Sequence, residues 1–207
     1  MIVLAAGASE RMGAPKPLLP FEGQTCLSLV LDACLSSSAT ETVVVIGPDA
    51  SDIRDALASY AASRKDARIR LALNTRPQRG QTSSLKTGID ESSGRADGFA
   101  VFPVDHPLVM GADVDQLVAR FEQRPRGRTI FIPTHDDRRG HPVLFSAAHR
   151  GPILELGDDA PLHEYVRLKG AEIDLVPVDN PGVVTGMNTP EEYQRALALY
   201  RERSRRA

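Results

Sequence analysis

Apolar and β-branched residues gather in short runs at positions 2–4, 42–46, 69–73, 99–104, 129–132 and 173–176. Runs of that length and composition predict strands, because branched side chains pack well on a pleated surface. Between most of them the apolar positions recur at helical spacing. Leu27, Val30, Leu31 and Cys34 predict one helix, Ile53, Leu57 and Tyr60 a second, and Leu117, Val118 and Phe121 another, each stripe being an apolar face that a sheet can cover. Strands alternating with helices predict an α/β layer fold with a largely parallel sheet. The last helix has the clearest start, with Thr189 as cap, Pro190 in the first turn and Glu192 placed to close a capping box. From 134 to 159 the chain is rich in Gly, His, Asp and Arg and the rhythm fails. Loops and an antiparallel excursion beside the main sheet are expected there. With no internal repeat and no linker, residues 1–207 are expected to form a single domain.

Composition narrows the ligand. At 207 residues and 42% hydrophobic content the chain can bury a full core. A formal charge of -2 and 5% aromatic residues provide neither the basic field nor the stacking platform of a nucleic-acid binder, so a small ligand is the expectation. Cys26 and Cys34 lie on one predicted helix and read as small core residues, which suits a cytoplasmic protein. No basic segment precedes the apolar start, and no apolar stretch approaches the roughly 18 residues of a membrane span. Neither secretion nor a membrane is expected. The basic end, Arg201 to Arg206, reads as a solvated helix terminus.

The first strand runs straight into a small-residue loop carrying Arg11 and Lys16. Such a loop can bring backbone N–H groups to a polyphosphate while the cations neutralise it. An ordinary strand-to-helix turn with surface charges is the equal alternative. No Gly-Lys-Ser/Thr occurs, and no G-x-G-x-x-G follows the strand, which argues against the two familiar phosphate loops. Asp105 follows an apolar run and is expected at a strand's C-terminal end, where open α/β sheets bind ligands; taken alone it also fits a turn or cap. The five histidines lack any close ligand spacing, so no zinc site is expected and they read as surface or substrate-side residues. No G-x-S-x-G surrounds a serine, and no covalent intermediate is expected.

Residues 4–19, LAAGASERMGAPKPLL, resemble almost position for position the signature L-A-[AG]-G-x-S-x-R-M-G-x-x-K-x-L-L of the molybdenum cofactor nucleotidyltransferases. Gly80-Gln81-Thr82-Ser83-Ser84-Leu85 resembles that family's helix start, and Pro103-Val104-Asp105-His106-Pro107-Leu108 its strand-end Asp motif. Arg139-Gly140-His141-Pro142-Val143-Leu144 and Asn188-Thr189-Pro190-Glu191-Glu192 resemble two later elements, in the right order. The resemblance implies a Rossmann-like, mostly parallel sheet with helices on both faces, of the nucleotide-diphospho-sugar transferase type. It implies that Leu4, Ala5, Ala6, Gly7, Ala8 and Ser9 hold the base and phosphates. Arg11 and Lys16 would bind the triphosphate and stabilise charge developing toward pyrophosphate, and Asp105 would hold Mg²⁺ with Asn188 as second oxygen ligand. Asn188 also suits an Asx turn leading into the Thr189 cap. Gly186 and Asn188 stand where cytidylyltransferases carry D-x-D-T-P, and Asn at the second position is more like the guanylyltransferases.

Asn74, Gln81, Ser83 and Ser84 are expected at the base or ribose, since amides and hydroxyls at a helix start can read a Watson–Crick edge; Thr82 or Ser83 equally suits a helix cap. Ala6 and Ser84 resemble the cytidylyltransferase branch and make CTP the expected donor. Arg139, Gly140, His141 and Pro142, with 157–159, would face the acceptor, or only shape a loop. The expected activity is transfer of CMP from CTP to the phosphate of the molybdenum-pterin cofactor, ahead of delivery to a molybdoenzyme. Rivals are a GTP-dependent guanylyltransferase, a sugar-phosphate nucleotidyltransferase and, from another class, a chaperone that binds nucleotide or cofactor without turnover.

Overall fold

A computed structural model describes residues 1–7 and 12–206. Its strands are β1 (Ile2–Leu4), β2 (Pro20–Phe21), β3 (Gln24–Thr25), β4 (Thr42–Ile46), β5 (Ile69–Leu73), β6 (Gly98–Pro103), β7 (Ile130–His135), β8 (Arg138–Arg139), β9 (Val143–Ser146) and β10 (Ile173–Pro177). The helices are α1 (Cys26–Ser36), α2 (Ser51–Arg64), α3 (Gln81–Glu91), α4 (Gly111–Glu122), α5 (Arg150–Leu154), α6 (Leu162–Leu168) and α7 (Pro190–Arg206). The main sheet runs β10-β7-β9-β6-β1-β4-β5, with β8 paired to β7, and β2 and β3 form a separate small hairpin.

The β1–β4, β1–β6, β4–β5 and β7–β10 pairs are parallel. β4 reads TVVVI and is buried throughout, as a central strand covered on both faces must be. Its alternate residues serve opposite cores. Val44 and Ile46 pack with Val3, Phe102 and the stripes of α1, α2, α4 and α7. Val43 and Val45 pack with Ile2, Leu4 and residues of α3, α5 and α6. The chain is therefore a mostly parallel sheet with helices on both faces. At Gly88 a Cβ would lie 2.4 Å from Ile2 Cγ2, so α3 sits closer to β1 than any side chain would permit.

The expected antiparallel excursion is not beside the sheet but within it. β9 lies between β6 and β7, antiparallel to both. Leu144 and Phe145 feed core clusters on opposite faces, so a strand this apolar gains more from a central place than from an edge. β8 returns from β7 through Asp136 and Asp137 at φ 48° and 60°, the left-handed pair that suits a tight hairpin. Cys26 and Cys34 are buried, free thiols. Among the described residues no helix is long and apolar enough to cross a membrane.

α7 begins as its sequence predicts, with Glu192 N donating to Thr189 Oγ1 and Thr189 N to Glu192 Oε2. Further along, Tyr193 and Tyr200 meet Phe21 edge-on at 5.6 and 5.5 Å. The helix thereby clasps the β2–β3 hairpin, just after the short 3₁₀ turn Lys16–Leu18.

Candidate active site

The central parallel strands end along one edge of the sheet. Past β1, Ala5 N donates to Val45 O, and past β6, Val104 N donates to Leu4 O. The ladder thus continues beyond the strands and fixes the backbone that follows. A cleft of about 350 Å³ opens there. It is lined by residues 4–7 after β1, by Lys16 and Pro17, by Pro77, Gly80, Gln81 and Ser84 around the start of α3, and by Pro103, Val104 and Asp105 at the end of β6. Small side chains at Ala5, Ala6 and Gly7 leave backbone accessible to a ligand.

Charge converges beside this cleft from three distant parts of the chain. Lys16 Nζ donates to Asp105 Oδ2 at 3.2 Å and to Asn188 Oδ1 at 2.8 Å. Each partner is locally braced. Leu19 N bonds Lys16 O; Met187 N bonds Asp105 O, and Asn188 N donates to Glu192 Oε2 at 2.6 Å. A carboxylate oxygen and an amide oxygen facing one ammonium are hard donors, and that donor set fits Mg²⁺ or Mn²⁺. Among the described residues no group of three or more His, Cys, Asp and Glu side chains gathers as a metal cage. Phosphate oxygens and water would complete the shell, as usual for Mg²⁺.

A second polar group near the cleft is internally satisfied. Asn74 Nδ2 donates to Ser83 Oγ and Ser84 Oγ, both at 2.9 Å, and Asn74 Oδ1 accepts from Arg76 N. Ser83 Oγ donates on to Gly80 O at 2.7 Å. Of the four residues expected at the base, Gln81 and Ser84 line the cleft, while Asn74 and Ser83 are buried behind it. Neither Thr82 nor Ser83 caps α3: the capping position is Gly80 at φ 110°, without a side-chain cap. A Cβ there would come within 3.4 Å of Asp158 O.

Asp158, expected toward the acceptor, instead pairs with Arg79 at 2.6 Å and Lys86 at 3.0 Å, buttressing the start of α3. Those two cations hold its carboxyl below the usual range. His141 packs on His106 with ring centroids 4.6 Å apart, and His106 Nε2 lies 3.8 Å from Asp105 Oδ1. Burial pushes both imidazoles down, His141 to about 4 with the neighbouring His106 contributing. His149 is neither surface nor substrate-side: it is buried and bonds Tyr165 Oη at 2.6 Å and Thr129 Oγ1 at 2.8 Å.

The structure thus brings Leu4, Ala5, Ala6, Gly7, Lys16, Gln81, Ser84 and Asp105 to one cleft, with Asn188 held on Lys16. Ala8, Ser9 and Arg11 lie outside the described residues. Sequence reasoning passed over Pro17, Pro77 and Pro103, which also line the cleft. Their signal was position, since each lies inside or just before a quoted motif.

The MobA-like NTP transferase domain model matches residues 1–173. The purine catabolism protein PucB of Bacillus subtilis (strain 168) is 33% identical over 203 residues, covering 93% of this chain and 92% of that protein. Nicotine blue oxidoreductase of Paenarthrobacter nicotinovorans is 28% identical over 205 residues, covering 95% of each. Among solved structures, Rv0371c from Mycobacterium tuberculosis H37Rv superposes with a TM-score of 0.79 at 26% identity, over 95% of each chain. The same protein has also been solved in complex with manganese, with a TM-score of 0.74 at 24% identity over 95% of this chain and 96% of that one.

Proposed function

The chain belongs to the MobA-like NTP transferase family and is a nucleotidyltransferase of that type, and from that premise we propose that it transfers CMP from CTP to the terminal phosphate of the molybdenum-pterin cofactor. The observation that carries the reading is Lys16 Nζ shared between Asp105 and Asn188 at the cleft. In the reaction an acceptor phosphate oxygen attacks the α-phosphorus of CTP. The bond from that phosphorus to the bridging oxygen breaks, and pyrophosphate leaves with the electron pair. The acceptor phosphate is already ionised at neutral pH, so no strong general base is required. Lys16 neutralises the charge that grows on the leaving group, and Arg11 is assigned the same work. Asp105 and Asn188 would hold Mg²⁺, which when bound supplies further charge neutralisation at the phosphates. Backbone at residues 4–7 carries the nucleotide, and Gln81 and Ser84, which line the same cleft, contact its base. The preference for CTP rests on Ala6 and Ser84. A guanylyltransferase is the second reading, favoured by Asn188 in place of an acid.

We further propose that residues 1–207 act as one domain in the cytoplasm, with a molybdoenzyme as eventual recipient of the product. Supporting the single domain, Val183, Met187, Ala196 and Leu197, all beyond the family match, share a core cluster with Val3.

The test compares thermal stabilisation by CTP, GTP, UTP and ATP with Mg²⁺, because a ligand that binds the native state raises stability as RT ln(1 + [L]/Kd). Pyrophosphate release with cofactor follows. A CTP-selective shift lost in Lys16→Ala, followed by Mg²⁺-dependent pyrophosphate, is the expected result. A GTP-selective shift moves the donor. Binding without pyrophosphate under any condition returns the non-catalytic chaperone.

A further inference from the structure

The segment that delivers Asn188 to Lys16 is wedged between two loops. After β10 the chain turns at Asn180, passes through the 3₁₀ turn Pro181–Val184 and reaches Asn188. On one side it is seated on the loop that follows Asp105. Asn180 Nδ2 donates to Leu108 O at 2.9 Å and to Asp113 Oδ2 at 2.6 Å, while Asn180 Oδ1 accepts from Gly182 N at 2.9 Å. A Cβ on Gly182 would lie 2.3 Å from Leu108 O. On the other side His141 N donates to Val183 O at 2.8 Å, and a Cβ on Gly140 would lie 2.3 Å from that same oxygen. At the far end Met187 N donates to Asp105 O. Both ends of the segment are therefore fastened to residues 105–113, the first by the side chain of Asn180 and the last by backbone.

We propose that Asn180 is a positioning residue, which by fastening residues 180–188 to Leu108 and Asp113 sets the amide oxygen of Asn188 opposite the Asp105 carboxylate to receive one divalent cation. This rests on the reading of Asp105 and Asn188 as that cation's ligands. Removing Asn180 leaves two of its three partners bonded, because Leu108 O keeps a hydrogen bond from Arg203 Nη1 and Asp113 Oδ2 keeps one from Met110 N, while Gly182 N loses its acceptor. The fold is expected to persist while the spacing of the two oxygens relaxes.

The test measures Mn²⁺ binding to the full chain by electron paramagnetic resonance, with and without the non-cleavable α,β-methylene analogue of CTP. Asn180→Ala is expected to weaken Mn²⁺ about tenfold, the low end for residues that orient metal ligands, with metal-free analogue affinity within about twofold. Asn180→Asp sets a carboxylate against Asp113 and against Leu108 O and should weaken Mn²⁺ further, and Asn180→Asp combined with Asp113→Asn should recover the part lost at residue 113 but not the part lost at Leu108 O. Unchanged Mn²⁺ affinity in Asn180→Ala overturns the proposal, as does a parallel fall in metal-free analogue affinity, which would mean general loosening. If Asn180→Ala does not fold, the paired exchange decides: no recovery overturns it. A wild-type chain that binds the analogue but no Mn²⁺ removes the ligand reading itself, and the proposal with it.

Discussion

Two polar clusters stand at the same edge of the sheet and are built on opposite plans. Asn74, Ser83 and Ser84 are buried, with Ser83 and Ser84 nine and ten positions after Asn74 and both accepting from its amide, and Ser83 bonding on to backbone. Lys16, Asp105 and Asn188 come from three distant segments, keep partial exposure at Lys16 and Asp105, and place a cation against two oxygens. A buried polar group costs free energy unless it is hydrogen-bonded, so closed satisfaction is what a scaffold needs. A charged group at a cleft can exchange its partner for a ligand of the same sign. The first cluster shapes the wall and the second supplies the charge that a polyphosphate requires.

The largest expected effect breaks the comparison if it fails. Asp105→Asn or Lys16→Ala should lower the rate of pyrophosphate release about 10²- to 10³-fold, the usual range for losing one preorganised charge contact. Asn74→Ala should leave that rate near wild type at saturating nucleotide. A steady-state assay under identical Mg²⁺ separates them. If Asn74→Ala lowers the rate as much as Asp105→Asn, the two clusters do not divide scaffold from chemistry.

Next in size is a pH effect on the dry flank of the charged cluster. Burial, with His106 adjacent, holds His141 near a pKa of about 4, below its unfolded value of about 6.5. Above pH 6.5 both states are neutral there and stability is unaffected. As pH falls from 6.5 toward 4 the unfolded chain takes up a proton that the folded chain refuses, so stability falls, by roughly 3 kcal/mol in all. Below about 4 the loss levels off. His106 and His149 are also lowered by burial and act in the same direction. Urea unfolding of wild type and His141→Asn at several pH values checks this: the difference between them should change through that window, and a constant difference would mean the flank is wet.

Asn74→Ala should appear in stability instead. It leaves Ser83 Oγ, Ser84 Oγ and Arg76 N each one partner short, and stranding buried polar groups costs about 1–3 kcal/mol. The midpoint of thermal unfolding should fall by several degrees, while the KM for nucleotide rises because Ser84 loses its brace. An unaltered midpoint would place water in the network and weaken the contrast.

Much of this plan was readable from residues alone, and where reading stopped has a physical cause. Strand and helix positions follow from local spacing, so β1, β4 to β7 and β10 lie where the apolar runs predict. Asp105 sits just past a strand because a long apolar run precedes it. β9 escaped because its four residues carry too little pattern to tell an edge from a centre, and its place depends on pairing with β6 and β7 across the chain. The split within the base-side residues was equally hidden. Amide and hydroxyl types at a helix start identify Asn74 and Gln81 alike, and only packing decides which faces the cleft. Asp158 reads as a loop acid until Arg79 and Lys86 approach it from 79 and 72 positions away.

The smallest expected effect is the sharpest, because it sets adjacent residues against each other. Thr189 and Asn188 both sit at the start of α7, one bonding Glu192 N through its hydroxyl and the other Lys16 through its amide. Thr189→Ala removes an N-cap contact and should cost about 1 kcal/mol of stability with little change in turnover. Asn188→Ala should reverse that order, because Glu192 Oε2 bonds the backbone N–H of residue 188, which the substitution retains. It should leave the midpoint nearly unchanged and raise the divalent cation concentration needed for half-maximal rate. If both variants lose only stability, Asn188 belongs to the cap alone and the charged cluster shrinks to Lys16 and Asp105.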